Sequence, residues 1–405
     1  HMDLYLARQP IFDQNLEVFG YELLYRNSRE NRYFAADADE ASSSVIINAF
    51  TVLGLENLTG GRRAFVNFTD RLLKERVATL FPKELLVVEV LEDVVPDRDI
   101  QAACADFREK GYLVALDDFV YRPALKPLVD LADIIKIDFT LLNERERQSV
   151  VRVLGNGRIR FLAEKVETQE EFEKAKAWGY SLFQGYFFSK PVVQPIGEIP
   201  PMRINQLRLL EALNRPEVEF GVVSDIVSKD VSLSYKLLRL VNSPALGRPV
   251  RIDSVRQALV MLGLRELKKW LSLIVLRGIA SHKPDELVRT SLIRAKLLEL
   301  LGDSTGLPNA KEDLFLLGLF SQLDAMMDRP LDELLSGLSV SDAVKAGLLH
   351  HEGVYGMMYG LVSHYERGDW GEVSRICSLL GQNPDRLTPI WCKAVEWCAT
   401  VLEQA

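Results

Sequence analysis

Apolar and polar positions fall into two textures along this chain. From residue 4 to about 190, short apolar runs alternate with helix-length stretches; from 203 to 405, apolar positions recur at helical spacing almost throughout. The first half holds eight strand candidates, at 4–12, 17–26, 63–69, 84–92, 112–119, 134–139, 159–166 and 181–189. The first two are separated only by the turn around Asp13-Gln14-Asn15-Leu16, which predicts a hairpin. Most later candidates are separated by segments long enough for a helix, such as 97–110 and 141–156. Near-continuous apolar strands alternating with helices predict a parallel sheet covered on its faces, and eight of them predict a closed α/β barrel. A barrel of this kind typically takes ~250 residues, so the helices and loops here must be trimmed.

Between the two textures, Pro191, Pro195, Pro200 and Pro201 fall close together. So many prolines exclude a regular helix or a central strand. The expected organisation is therefore a barrel domain over 3–191, a linker over 192–202 and an all-α domain over 203–405.

Composition narrows the function. With 48% apolar and 26% charged residues the chain reads as a soluble globular protein of two or three domains. A net charge of -8 argues against DNA or RNA polymers held by phosphate contacts, but leaves open a small nucleotide held through metal ions. No apolar run approaches the length of a membrane span, so no membrane association is expected. His1-Met2 reads as a remnant of expression, and no secretory signal follows it. Cys104, Cys377, Cys392 and Cys398 are scattered with no CxxC pair, which fits free thiols in a reducing cytoplasm.

The chemistry lies at the strand ends. Seven candidates carry polar residues toward their C-terminal ends: Glu22, Asn67, Glu89, Asp117 with Asp118, Lys136, Glu164 and Gln184. In a barrel these ends converge on one mouth. Five carboxylates meeting there would repel one another and be costly to desolvate. Divalent cations relieve this, and an oxygen-only ligand set with one amide favours Mg²⁺ or Mn²⁺ over zinc. Two such ions about 3.5–4 Å apart would activate water for in-line attack on a phosphodiester, with Lys136 orienting the nucleophile or stabilising developing charge. A single acid in an apolar strand is more often a paired structural carboxylate, and Asp117-Asp118 alone could cap a helix. Polar groups at one level on seven strands are harder to explain that way.

The motifs YELLYR (21–26), FVN (65–67), VEVLE (88–92), LDDF (116–119), IKID (135–138), AEKVE (163–167) and QGYFFSKP (184–191) together resemble the EAL domain, over essentially all of 4–191. The opening QPIF (9–12) resembles its first strand. The resemblance implies a modified TIM barrel whose early strand runs antiparallel, and hydrolysis of cyclic di-GMP to the linear dinucleotide pGpG. It implies metal ligation by Glu22, Asn67, Glu89, Asp117 and Asp118, with Asp117 shared by two ions. Lys136 would contact the nucleophilic water, Glu164 and Gln184 would complete the inner site, and Arg26, Gln184 and Gln9 would hold the dinucleotide. Glu92 would anchor the loop that follows Asp118. That loop departs from the family's DDFGTGYSS: here it reads Asp117-Asp118-Phe119-Val120-Tyr121-Arg122-Pro123, and Lys165 stands where the family has glycine in EGVE. A catalytically inactive receptor or scaffold on the same fold is the alternative that these departures leave open.

The stretches 222–247 and 252–276 resemble the HDOD domain, an all-helical relative of the HD phosphohydrolases, over about 203–390. EAL followed by HDOD is a known pairing, sometimes called the YuxH type. Where an HD hydrolase would carry GLLHD, this chain has Gly318-Leu319-Phe320-Ser321-Gln322. Adjacent His350 and His351 would point about 100° apart on a helix and so do not form a metal pair. The helical half therefore reads as a regulatory or protein-binding module, and a homodimer is a further expectation. Trp391, Trp397, Cys392 and Cys398 read as core of a final helix, and Arg265, Lys268 and Lys269 as a solvated basic face.

Overall fold

A computed structural model describes residues 4–27, 50, 54–190, 255–303, 310–336 and 340–404, with scattered positions between 209 and 242 and residue 338. The expected linker at 192–202 lies outside the described residues. The chain divides into two compact units. The first is 1–190 together with 363–378 and 383–389; the second is 191–362, 379–382 and 390–405. The barrel unit is thus assembled from both ends of the sequence.

All eight expected strands form: β1 (Leu4–Asp13), β2 (Val18–Asn27), β3 (Arg63–Phe68), β4 (Leu86–Val90), β5 (Leu113–Leu116), β6 (Ile134–Asp138), β7 (Arg160–Glu164) and β8 (Leu182–Phe183). They close in sequence order into one barrel. β1 runs antiparallel to both β2 and β8, and every other neighbouring pair is parallel. Helices Arg98–Glu109 and Glu144–Leu154 fill the intervals expected to be helical. The second starts on a reciprocal cap, in which the Asn143 side chain accepts from the Glu146 N–H and the Glu146 carboxylate accepts from the Asn143 N–H.

The eighth strand is much shorter than expected. Its C-terminal part, Tyr186–Ser189, is a 3₁₀ turn. Gly185 breaks the strand at φ 146, where a Cβ would fall 2.1 Å from the Val166 carbonyl oxygen. Only Phe12 and Asp13 of β1 consequently pair with β8.

One ring of apolar side chains packs the barrel interior: Ile11, Phe65, Val87, Ala115, Ile134, Leu162 and Leu182, from seven different strands. β2 contributes Gly20 at this level, where a Cβ would meet the Phe65 ring at 3.0 Å. The ring is the floor on which the mouth is built.

In the helical unit, Val223, Val227, Ala258, Leu259, Leu267, Trp270 and Leu271 share one buried core, as the helical spacing of these stretches requires. The helix Val255–Ile279 is interrupted at Gly263, φ 78. Trp391, Cys392 and Cys398 of the final helix are buried, and Trp397 stands edge-on to Phe315. Ser321 and Gln322 are buried, and Arg294 Nη1 donates to Ser321 Oγ across 3.2 Å. The expected solvated face needs one correction: Arg265 is exposed, but Lys269 turns inward to pair with Glu299. A solvent-starved carboxylate and the Phe315 ring, 5.0 Å away, give its ammonium a better environment than an isolated surface position would.

Candidate active site

Side chains alternate faces along a strand, so the residue two positions beyond each floor residue lies directly above it. Stepping from Phe65, Val87, Ala115, Ile134, Leu162 and Leu182 toward the mouth reaches Asn67, Glu89, Asp117, Lys136, Glu164 and Gln184. On β2 the same step leads from Gly20 to Glu22. On β1, which runs the other way, it leads back from Ile11 to Gln9, opposite Glu22 in the ladder. The polar residues expected at seven strand ends therefore form one layer, completed by Gln9.

Lys136 stands at the centre of this layer and is fully buried. Its Nζ lies 2.6 Å from Asp117 Oδ1, 2.8 Å from Glu89 Oε1, 3.0 Å from Glu164 Oε1 and 3.6 Å from Glu22 Oε2. Gln184 Nε2 donates to Glu22 Oε2 at 2.7 Å and to Gln9 Oε1 at 3.1 Å. Tyr25, which sequence reasoning did not single out, donates its hydroxyl to the backbone carbonyl of Asn67 at 2.5 Å. Burial, with Glu89 nearby, pushes the Tyr25 phenol well above its ordinary range.

Charge does not balance in this layer. Four carboxylates face one ammonium. Burial raises the Glu89 carboxyl well above the ordinary range against the opposing pull of Lys136. Burial likewise pushes Glu164 up to about 8, although Lys136 again opposes it. Asp118 is raised too, first by burial and then by Asp117. For Lys136, burial favours the neutral amine, but Glu164, Glu22, Glu89 and Asp117 together hold the ammonium charged well above the usual lysine range. Among the described residues, five acceptor atoms here are buried without a hydrogen-bond donor: Asn67 Oδ1, both Glu89 oxygens, Glu164 Oε2 and Gln184 Oε1. Glu89 Oε1 sits at ion-pair distance from Lys136 but outside hydrogen-bonding alignment. Buried acceptors without donors are costly, and a hard divalent cation with oxygen ligands satisfies them. Asp117, Asp118 and Glu164 also offer carboxylate oxygens that all lie within 4.8 Å of one another. The residues fit a metal centre.

Two sequence departures have visible outcomes. Lys165 adopts φ 53, the left-handed conformation that glycine reaches without strain. Its ammonium lies 2.5 Å from Asp138 Oδ2. That carboxylate is nearly inaccessible, and the Thr140 hydroxyl and N–H complete its partners. Asp118 also adopts a positive φ, 40. After it, Phe119 tucks inward and donates its N–H to the Lys136 carbonyl, while Val120 and Tyr121 face outward.

Glu92, expected to anchor this loop, is exposed in the turn after β4, and among the described residues it makes no hydrogen bond to 119–123. It lies close enough to help raise the Asp118 carboxyl. Arg26 lies on β2 opposite Tyr5, and its side chain falls outside the described residues. Among the described residues no helix is long and apolar enough to cross a membrane.

The EAL domain model matches residues 57–191 and the HDOD domain model residues 199–327. The chain is 36% identical over a 412-residue alignment to the uncharacterized protein YuxH of Bacillus subtilis, covering 99% of this chain and 100% of that one. It is 38% identical over 396 residues to the cyclic di-GMP phosphodiesterase CdgJ of Vibrio cholerae, covering 97% of this chain and 92% of that one. Among solved structures, Klebsiella pneumoniae BlrP1 in a complex with calcium and cyclic di-GMP aligns at 25% identity over 48% of this chain and 57% of that one, with a TM-score of 0.39.

Proposed function

This chain belongs to the family of proteins that join an EAL domain to an HDOD domain, and we propose that it is a metal-dependent phosphodiesterase hydrolysing cyclic di-GMP to pGpG in bacterial signalling. The observation that carries this reading is the excess of buried, donor-less acceptor atoms around Lys136 at the barrel mouth. Glu22, Asn67, Glu89, Asp117 and Asp118 would hold two ions, Mg²⁺ or Mn²⁺, with Asp117 shared. When bound, the metal supplies a water of lowered pKa and neutralises charge on the attacked phosphate.

The protein's own groups divide the remaining work. Lys136 would contact the attacking water and orient it or stabilise developing charge. Glu164 would complete the inner site beside Lys136, 3.0 Å from its ammonium. Gln9 and Gln184 line the wall where the dinucleotide is held, and Arg26 supplies a guanidinium suited to its phosphate. The boundaries 3–191 and 203–405, a regulatory or protein-binding role for the HDOD part, homodimerisation and a cytoplasmic location belong to the same proposal.

Incubating the purified chain with cyclic di-GMP and Mg²⁺ or Mn²⁺ should release pGpG; release no greater than that of a Glu22→Ala variant would defeat the reading. One observation favours a second reading, a non-catalytic receptor: the loop after Asp118 carries Val120, Tyr121, Arg122 and Pro123 where the family has glycines, and among the described residues Glu92 makes no hydrogen bond to it. Calorimetry showing tight cyclic di-GMP binding without turnover would establish that reading instead.

A further inference from the structure

Because β8 is two residues long, most of the β1 edge that faces it has, among the described residues, no strand beside it. Unpaired backbone groups on such an edge need other partners. Part of this edge is covered by residues from the far end of the sequence. The Leu6 N–H donates to Thr388 Oγ1 at 3.2 Å, and the Leu6 carbonyl accepts from the Tyr365 hydroxyl at 2.5 Å. Tyr365 Oη and Thr388 Oγ1 are themselves 3.0 Å apart, so the two side chains together hold both backbone polar groups of one β1 residue, Leu6. Trp370 stacks on Tyr5, with centroids 5.3 Å apart and planes 13° from parallel. Tyr365 meets Trp370 edge-on. Three residues along β1 from Leu6, Gln9 Nε2 donates to the Glu366 carbonyl at 3.3 Å.

That last bond matters because of what lies on the other side of Gln9. A glutamine amide donates from nitrogen and accepts at oxygen. With its nitrogen turned to Glu366, Gln9 Oε1 faces Gln184 Nε2, and Gln184 in turn donates to Glu22 Oε2. A polar chain thus runs from the backbone of residue 366 to a carboxylate of the proposed metal centre. Arg367 sits over the Tyr186 ring at 5.0 Å, on the segment that follows Gln184.

We propose that the segment Tyr365–Trp370, with Thr388, is a positioning element of the active site. It fills the open side of β1, fixes the amide orientation of Gln9, and thereby aligns Gln184 and Glu22 for metal and substrate. The inference rests on the phosphodiesterase reading and adds to it residues outside the EAL-like part of the sequence. It assigns Tyr365 and Trp370 to holding the site rather than to chemistry.

The test uses the full chain and three variants: Trp370→Ala removes the stack, Trp370→Phe keeps an aromatic ring there, and Tyr365→Phe removes only the hydroxyl. A loosened β1 lowers the fraction of molecules competent to bind, which raises apparent dissociation constants in proportion. Trp370→Ala should raise the Mn²⁺ concentration for half-saturation, measured by calorimetry, and KM for cyclic di-GMP, each about fivefold to tenfold. Turnover at saturation should stay within about twofold. Tyr365→Phe should move the same two quantities in the same direction by less, and Trp370→Phe should restore values near those of the parent. If Trp370→Ala does not fold, Tyr365→Phe decides. Variants with lowered melting temperature but unchanged Mn²⁺ half-saturation and KM overturn the inference, since that is what a merely structural contact predicts. A parent chain that binds neither Mn²⁺ nor cyclic di-GMP overturns the underlying reading of the site instead.

Discussion

At the barrel mouth four carboxylates surround one lysine; in the helical unit two lysines share one carboxylate. Lys269 and Lys296 both pair with Glu299, the second at 2.9 Å, and Lys296 lies 5.4 Å from the centre of the Trp397 ring. Burial pushes the Glu299 carboxyl up, yet the two ammonium groups hold it below the ordinary range. At the mouth burial wins instead, and Glu89 and Glu164 are raised. Both clusters are shielded from water, so burial alone does not distinguish them. Charge balance does: the helical cluster pairs its acid with two bases, and among the described residues the mouth holds four acids around one base.

Substituting one acid in each cluster should give opposite outcomes. Glu89→Gln removes a fully buried carboxyl whose anion is disfavoured by burial and by the neighbouring acids, so turnover should fall roughly 10²–10³-fold, the scale for loss of one electrostatic partner. The melting temperature of the metal-free protein should rise, and a fall would contradict the imbalance described here. Glu299→Gln strands Lys296 and leaves Lys269 only Glu266, 3.5 Å away; it should cost about 3 kcal/mol of stability in urea unfolding and leave cyclic di-GMP turnover unchanged.

The pH dependence sharpens the contrast in the metal-free protein. Glu164 has a raised folded-state pKa, so its favourable contribution is full below its unfolded value and is lost as pH rises through about 8. Glu299 has a lowered one, so its contribution is present above the unfolded value and is lost as pH falls through the folded value. Melting temperatures measured in EDTA should therefore decline toward alkaline pH, with Glu164→Gln flattening that decline. Glu299→Gln should flatten only the acid limb. Added Mn²⁺ should raise the melting temperature more at pH 8 than at pH 6, because the raised carboxyls must be deprotonated to bind it.

The smallest effect is expected at Lys165→Gly. Glycine relieves the left-handed backbone but deprives buried Asp138 of its ammonium. These opposing terms should leave stability within about 1 kcal/mol of the parent, as measured by urea unfolding.

The barrel was legible because its strands are apolar, short and separated by helix-length intervals, and its mouth because strand ends share one level. The rule of polar residues at C-terminal strand ends does not reach Gln9, since β1 runs backwards and presents its N-terminal side to the mouth. Only the family resemblance pointed to it. Tyr25 was hidden because it lies on the opposite face of β2 from Glu22, outside the period that marks the site. The truncation of β8 turns on one close approach at Gly185, and the role of Tyr365 and Trp370 on contacts more than 350 residues distant along the chain. Neither leaves a local signature.

A barrel unit built from both ends of the sequence has a consequence for how the protein is made. A ribosome adding about 5–20 residues per second reaches Thr388 roughly 10–40 s after it has finished β8. Throughout that interval the nascent barrel has all eight strands but an unfilled edge on β1. The barrel therefore cannot mature as it emerges; its completion waits for the start of the last helix, Leu387–Gln404, and a chain cut short by a late stop codon lacks the residues that hold the mouth in register.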